Sequence, residues 1–133
     1  MRVIVIEDNE TTLMLLRRLV GRAEDVDAVG FSNPLDAMRE LPRISVDLVF
    51  VDYTMPGMNG VEVILAIRAM SNHWSVPIVM VTGEHERAVR MEAFEAGVTD
   101  FLSKPIDPIE FKARVRNLLA LRRAELAMRG LAA

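Results

Sequence analysis

The sequence predicts an α/β fold: a doubly wound, five-stranded parallel sheet assembled as (βα)5. Three observations carry that prediction. Five short apolar runs each end in polar or turn-prone residues. Amphipathic helical patterns occupy the intervals between them. The links are short, and such alternation yields a parallel sheet covered by helices on both faces. Right-handed crossovers leave few topologies, and the strand order 2-1-3-4-5 is the leading candidate.

The first strand is "VIVIED" (3–8), nearly continuous Val and Ile, as a strand covered on both faces requires. In the helix that follows, Leu13, Leu16, Leu19 and Val20 recur at helical spacing, with Arg17 and Arg18 outside the stripe. The second strand, "VDAVGFS" (26–32), is weaker and more polar, as an edge strand can be. Helix 2 opens at "SNPLDAM", where Asn33 suits the N-cap and Pro34 the first turn. The third strand, "DLVFVD" (47–52), is apolar up to its final acid. Helix 3, "GVEVILAIRAM", sets Val61, Ile64, Leu65 and Ile67 along its apolar stripe. The fourth strand is "PIVMVTG" (77–83). Helix 4, "EHERAVRMEAFEAG", stops at Gly97, a favourable C-terminal cap. The fifth strand, "TDFLSK" (99–104), is again polar enough for an edge. Helix 5 starts at "DPIE", where Asp107, Pro108 and Glu110 read as a capping box. Phe111, Val115, Leu118 and Leu119 mark its buried face.

Composition agrees with one domain. The chain has 133 residues, 51% hydrophobic and 26% charged, enough for a sizeable core. Aromatic residues are few, so Val, Ile, Leu, Met and Ala must fill that core. A net charge of -3 argues against a nucleic-acid surface spread over the fold. The absence of cysteine excludes disulfides and thiolate chemistry. The opening "RVIVIED" is too short and too acidic for a signal peptide or a membrane span. A cytoplasmic protein with no membrane contact is the expectation.

In open α/β sheets, sites form at the carboxyl ends of strands, where the strand order reverses. For order 2-1-3-4-5 that point lies between strands 1 and 3. Strand 1 ends in Glu7 and Asp8, and strand 3 ends in Asp52. Neighbouring strands are about 4.8 Å apart, so three carboxylates converge. Like charges so close repel and raise pKa values. A hard divalent cation removes the conflict, and Mg²⁺ favours carboxylate, water and phosphate oxygens. Strand 4 brings the hydroxyl of Thr82, and strand 5 brings Lys104, followed by Pro105. A bound phosphoryl group needs such partners, with Asp52 as the nucleophile that forms an acyl phosphate. Each residue alone has a plainer reading: an acid after a strand is usually a turn or cap, and "KP" is often only a loop. The coincidence at four of five strand ends shifts the balance toward phosphotransfer.

These residues, "ED" at 7–8, "DYTMPGMNG" at 52–60, "VTG" at 81–83 and "KP" at 104–105, resemble the receiver domain of two-component response regulators. The resemblance covers roughly residues 1–121 and implies a flavodoxin-like fold. It implies that Asp52 is the phosphoacceptor, and that Asp8 and Asp52 bind Mg²⁺ directly. Glu7 would act through water, and the backbone carbonyl of Thr54 would be a further ligand; Mn²⁺ is the expected substitute. Thr82 and Lys104 would contact the phosphoryl group, with Thr82 and Phe101 as the switch pair. Thr54, Gly83 and Glu84 would tune dephosphorylation. The implied partners are a histidine kinase or a histidine phosphotransfer protein, and an output domain or effector. A homodimer through the helix 4–strand 5–helix 5 face is a further expectation, and direct nucleic-acid contact is not expected. Such a domain is a phosphoacceptor that catalyses only its own phosphorylation and dephosphorylation.

Residues 122–133 read as an extension of helix 5 or the start of a linker to an output domain. The stretch "EFKARVRNLL" looks similar to fifth helices of receivers joined to cyclic-dinucleotide enzymes, including HD-GYP phosphodiesterases; chemotaxis-type receivers are also similar. A HAD-type phosphohydrolase would need a second acid where Thr54 stands. A flavin binder would need a Ser/Thr/Gly-rich first loop where "EDNET" stands. A degenerate receiver would have lost acids or Lys104. His73 and Trp74 read as surface or packing residues, and His85 as a solvated residue near the site.

Overall fold

The computed structural model describes residues 1–21, 25–83 and 87–130. Strands β1 (Arg2–Ile6), β2 (Asp27–Phe31), β3 (Leu48–Asp52), β4 (Ile78–Thr82) and β5 (Asp100–Ser103) form one parallel sheet in the order β2-β1-β3-β4-β5. Helices α1 (Glu10–Val20), α2 (Pro34–Glu40), α3 (Gly60–Arg68), α4 (Arg87–Ala96) and α5 (Pro108–Met128) alternate with the strands. This is the doubly wound (βα)5 architecture that the alternation predicts. A single 3-10 turn, Leu41–Arg43, follows α2. Among the described residues no helix is long and apolar enough to cross a membrane.

Side chains alternate across a strand, and the sheet divides its apolar residues accordingly. Ile4, Ile6, Val49, Val51, Ile78 and Met80 face one core, shared with α2, α3 and α4. Val3, Val5, Leu48, Phe50, Val79 and Val81 face the other, shared with α1 and α5. There the Phe50 and Phe111 rings meet at 4.5 Å. Burying each large apolar side chain is worth roughly 1.5–3 kcal/mol, so the three central strands are firmly held. Every residue of β3 and β4 is buried. The edge strands β2 and β5 are more open, as their polar sequences anticipate.

Caps fix where the helices begin. Asn9 accepts from Thr12 N at 3.0 Å, and Asn33 from Leu35 N at 2.9 Å. Asn59 and Glu62 form a reciprocal capping box at the start of α3. The box expected on α5 is only half made. Asp107 accepts from Ile109 N and Glu110 N, but the Glu110 carboxylate lies 3.7 Å from Arg114, one turn along the helix. Gly97 ends α4 as expected, with φ +104 in the left-handed region.

The stripe assigned to helix 3 needs correction. Leu65 is 55% exposed, and Val63 is fully buried in its place. The capping box and Gly60 set the rotation of α3, and its buried face runs through Val61, Val63, Ile64 and Ile67. His73 packs inside, with Nε2 2.6 Å from the Leu41 carbonyl, while Trp74 is exposed. Helix α5 continues unbroken past Leu121 to Met128.

Candidate functional site

The site is assembled where strands β1, β3, β4 and β5 end. Apolar runs carry each strand through the core, and the first polar residue emerges at the same rim. Asp52 and Thr82 are the last residues of β3 and β4, while Glu7 and Lys104 lie just beyond β1 and β5. Backbone bonds lock the tips together: Tyr53 N donates to Val81 O at 3.0 Å, and Lys104 N to Thr82 O at 3.1 Å. The Lys104–Pro105 peptide is cis.

Glu7, Asp8 and Asp52 each place a carboxylate oxygen within 4.8 Å of the others. Glu7 and Asp52 are buried, whereas Asp8 faces solvent. Lys104 Nζ lies 2.9 Å from Asp52 Oδ1 and 3.4 Å from Glu7 Oε1. One ammonium therefore serves two buried acids, with a third acid beside them. Burial, then the charge of Asp52 and hydrogen bonding to it, pushes the Glu7 carboxyl up to about 7. Lys104 pulls the other way without prevailing. Burial alone lowers the pKa of Lys104, but hydrogen bonding to Asp52 and the charges of Asp52 and Glu7 reverse this, and the net direction is up.

This donor set suits a hard divalent cation. All three acids offer oxygen, the excess negative charge is only partly offset, and Asp8 leaves an open side toward solvent. Thr82 is buried at the same rim, on the strand that pairs with β3.

The other predicted positions fall around this centre. Thr54 is exposed two residues past Asp52. Gly83 is exposed, and among the described residues nothing lies within 4 Å of where its Cβ would sit. Phe101 sits lower, at the middle of β5 opposite Met80. It is half-buried, edge-on to Phe94 at 5.1 Å, with the Arg90 guanidinium 5.6 Å from its ring. Glu84 and His85 lie outside the described residues.

Sequence reasoning missed one positioning residue. A Cβ on Gly60 would meet the Asp52 carbonyl oxygen at 2.8 Å and Tyr53 Cα at 2.9 Å. Only glycine lets α3 begin hard against the backbone of Asp52, where Gly60 N donates to Tyr53 O at 2.8 Å. The signal was present as the last glycine of "PGMNG", directly after a cap residue.

Comparison with known proteins follows the same outline. The profile of the "Response regulator receiver domain" family matches residues 3–116. The chain is 37% identical over 123 residues to the cyclic di-GMP phosphodiesterase response regulator RpfG of Xanthomonas campestris pv. campestris, covering 92% of this chain and 32% of that protein. It is 34% identical over 113 residues to the DNA-binding response regulator MtrA of Mycolicibacterium paratuberculosis, covering 85% of this chain and 49% of that one. The chain thus spans half or less of the length of these curated relatives. Among solved structures, the signal receiver domain of a LuxO repressor protein from Vibrio parahaemolyticus superposes with a TM-score of 0.85 at 24% identity, covering 96% of this chain and 95% of that one. The receiver domain of sensor histidine kinase PA1611 from Pseudomonas aeruginosa PAO1, which holds a magnesium ion in its active-site cleft, superposes with a TM-score of 0.77 at 24% identity, covering 90% and 97%.

Proposed function

We propose, given that the chain belongs to the response regulator receiver domain family, that Asp52 accepts a phosphoryl group from a phosphohistidine on a histidine kinase or phosphotransfer protein. One observation supports this above all: a buried carboxylate at the tip of a core strand, 2.9 Å from an ammonium and within 4.8 Å of two further acids. In the transfer an Asp52 oxygen bonds to phosphorus as the histidine N–P bond breaks, and the departing imidazole takes up a proton. Lys104 moves from the Asp52 carboxylate to a phosphoryl oxygen, keeping its charge beside the developing negative charge. Thr82 offers its hydroxyl to another. Water later attacks the phosphorus, inorganic phosphate departs and the Asp52 carboxylate is restored, a step that Thr54, Gly83 and Glu84 tune.

Asp8 and Asp52 would hold Mg²⁺, or Mn²⁺ in its place, with Glu7 acting through water and the Thr54 carbonyl completing the set. When bound, the ion neutralises phosphoryl and carboxylate oxygens at once. Glu7 would serve that role ionised, as a ligating or second-layer carboxylate does.

The output is a shift between two conformations. Moving a population from mostly inactive to mostly active takes about 5.5 kcal/mol of differential affinity. Charge-assisted hydrogen bonds at roughly 1.5–3 kcal/mol each approach that. Thr82 moves toward the phosphoryl group, and Phe101 turns into the space left behind. The face changed is α4–β5–α5, where Met91 and Phe94 are exposed; it suits a homodimer, an effector or an output domain. Residues 122–133 are then the start of a connection to that output, in a cytoplasmic regulator.

The test is incubation with acetyl phosphate and Mg²⁺, read by intact mass. Wild type gains one phosphoryl group, labile to hydroxylamine, and Asp52→Asn gains none. Equal labelling of the variant would assign the acceptor elsewhere.

A further inference from the structure

Arg122 stands one turn beyond Leu118 and Leu119, the last apolar residues of the buried face of α5, yet it is only 6% exposed. It lies at the amino ends of the strands, opposite the acidic rim. Its guanidinium donates to Asp47 Oδ1 at 3.4 Å, to the Val46 carbonyl at 3.4 Å, to Ser75 Oγ at 3.5 Å and to Glu125 Oε1 at 3.2 Å. Val46 and Asp47 lead into β3, and Ser75 lies in the link before β4. The other oxygen of Asp47 accepts from Arg2 N, at the start of β1, at 2.8 Å. Two turns beyond Arg122, at the C-cap of α5, Arg129 pairs with Glu125 at 2.8 Å and lies 5.7 Å over the Trp74 ring.

We propose that Arg122 is a register clamp that holds residues 122–129, the last turns of α5 and its C-cap, as a rigid arm of the sheet, so the helix neither slides nor frays where it overhangs the apolar core. Apolar contact is non-directional, and a helix resting on it alone can rotate or slip. Hydrogen bonds to a fixed carbonyl, carboxylate and hydroxyl tolerate little of either. A buried ion pair adds little net stability over a well-packed apolar residue, so positioning is what the arginine contributes here. Asp47 and Ser75 precede the two strands whose far ends hold Asp52 and Thr82, and the arm thereby shares its anchor points with the strands of the site.

Trp74 is the single tryptophan and reports on the arm directly. Amide hydrogen exchange and acrylamide quenching of Trp74 in the full chain test the proposal. Arg122→Met should speed exchange of amides 123–129 at least tenfold and increase Trp74 quenching, while amides 111–119 stay within twofold. Arg122→Lys, which keeps the charge but loses the fork, should fall between. If Arg122→Met loosens 111–119 as well, Ser75→Ala combined with Glu125→Gln decides: faster exchange confined to 123–129 supports the clamp. Protection of 123–129 within twofold of wild type in Arg122→Met, or in the double variant where that one decides, overturns it.

Discussion

At the carboxyl ends of the strands one ammonium pairs with two buried carboxylates, and a third carboxylate stands beside them. At the amino ends one buried guanidinium finds two carboxylates, a hydroxyl and a carbonyl. Both rims bury charge, but only the second balances it. Half-buried Arg68 is anchored in the same directional way, though by carbonyls and not by a carboxylate: it donates to those of Gly97, Trp74 and Val76 at 2.9, 3.2 and 2.6 Å. Buried charge that is fully partnered fixes geometry and asks for nothing further. Buried charge left in excess raises the energy of the ligand-free fold and favours whatever neutralises it. The imbalance at the acidic rim is therefore the physical mark of a ligand site, and the balance at the other rim the mark of a structural joint.

The largest expected effect breaks the acidic rim at the one cation among its described residues. Lys104→Met should slow phosphorylation of Asp52 by acetyl phosphate roughly 10²-fold or more. Mg²⁺ binding, measured by calorimetry, should persist or tighten, because a competing positive charge has gone. Loss of both together would mean that Lys104 holds the rim's shape rather than the phosphoryl charge.

The next effect tests whether the imbalance costs stability. Glu7 has a folded-state pKa of about 7 against an ordinary 4.5. The folded protein then binds the proton more tightly than the unfolded chain, so this contribution is fullest below about 4.5 and is lost as pH rises through about 7. In the absence of metal, Glu7→Gln should match wild type near pH 4 and exceed its urea stability near pH 8, by up to roughly 3 kcal/mol. Saturating Mg²⁺ should shrink the difference. A gap that stays constant with pH would remove the titration of Glu7 from the account.

The smallest effect sharpens the contrast from the balanced side. Asp47→Asn leaves Arg122 with Glu125, Ser75 and Val46, and should cost about 1–2 kcal/mol. That cost should vary little between pH 5 and 8, since the Glu125 carboxyl is held below its usual range by Ser75 and the arginines around it. Urea denaturation at both pH values measures it; a pH-dependent loss comparable to that at Glu7 would erase the distinction between the rims.

Most of the fold and the heart of the site were legible because both rest on local rules. A buried parallel strand must be a short apolar run, and an exposed strand end must turn polar. Read together, these rules place Glu7, Asp8, Asp52, Thr82 and Lys104 on one rim from the sequence alone. Helix starts at Asn33 and Asp107 followed from short-range capping, and the end of α4 at Gly97 from its freedom at positive φ.

Other features depended on which residues meet across the fold. The rotation of α3, which buries Val63 and exposes Leu65, follows from its packing against the backbone of Asp52 through Gly60, a contact that helical periodicity does not contain. The continuation of α5 as an anchored arm depends on Asp47 and Ser75, far from Arg122 in the chain, and by itself the run of arginines reads as a solvated face. The sequence alone determined which groups stand at the strand ends, since strand and helix patterns are local. The tertiary structure alone decided how their charges are shared, since electrostatic coupling depends on distances and burial that exist only once the sheet has closed.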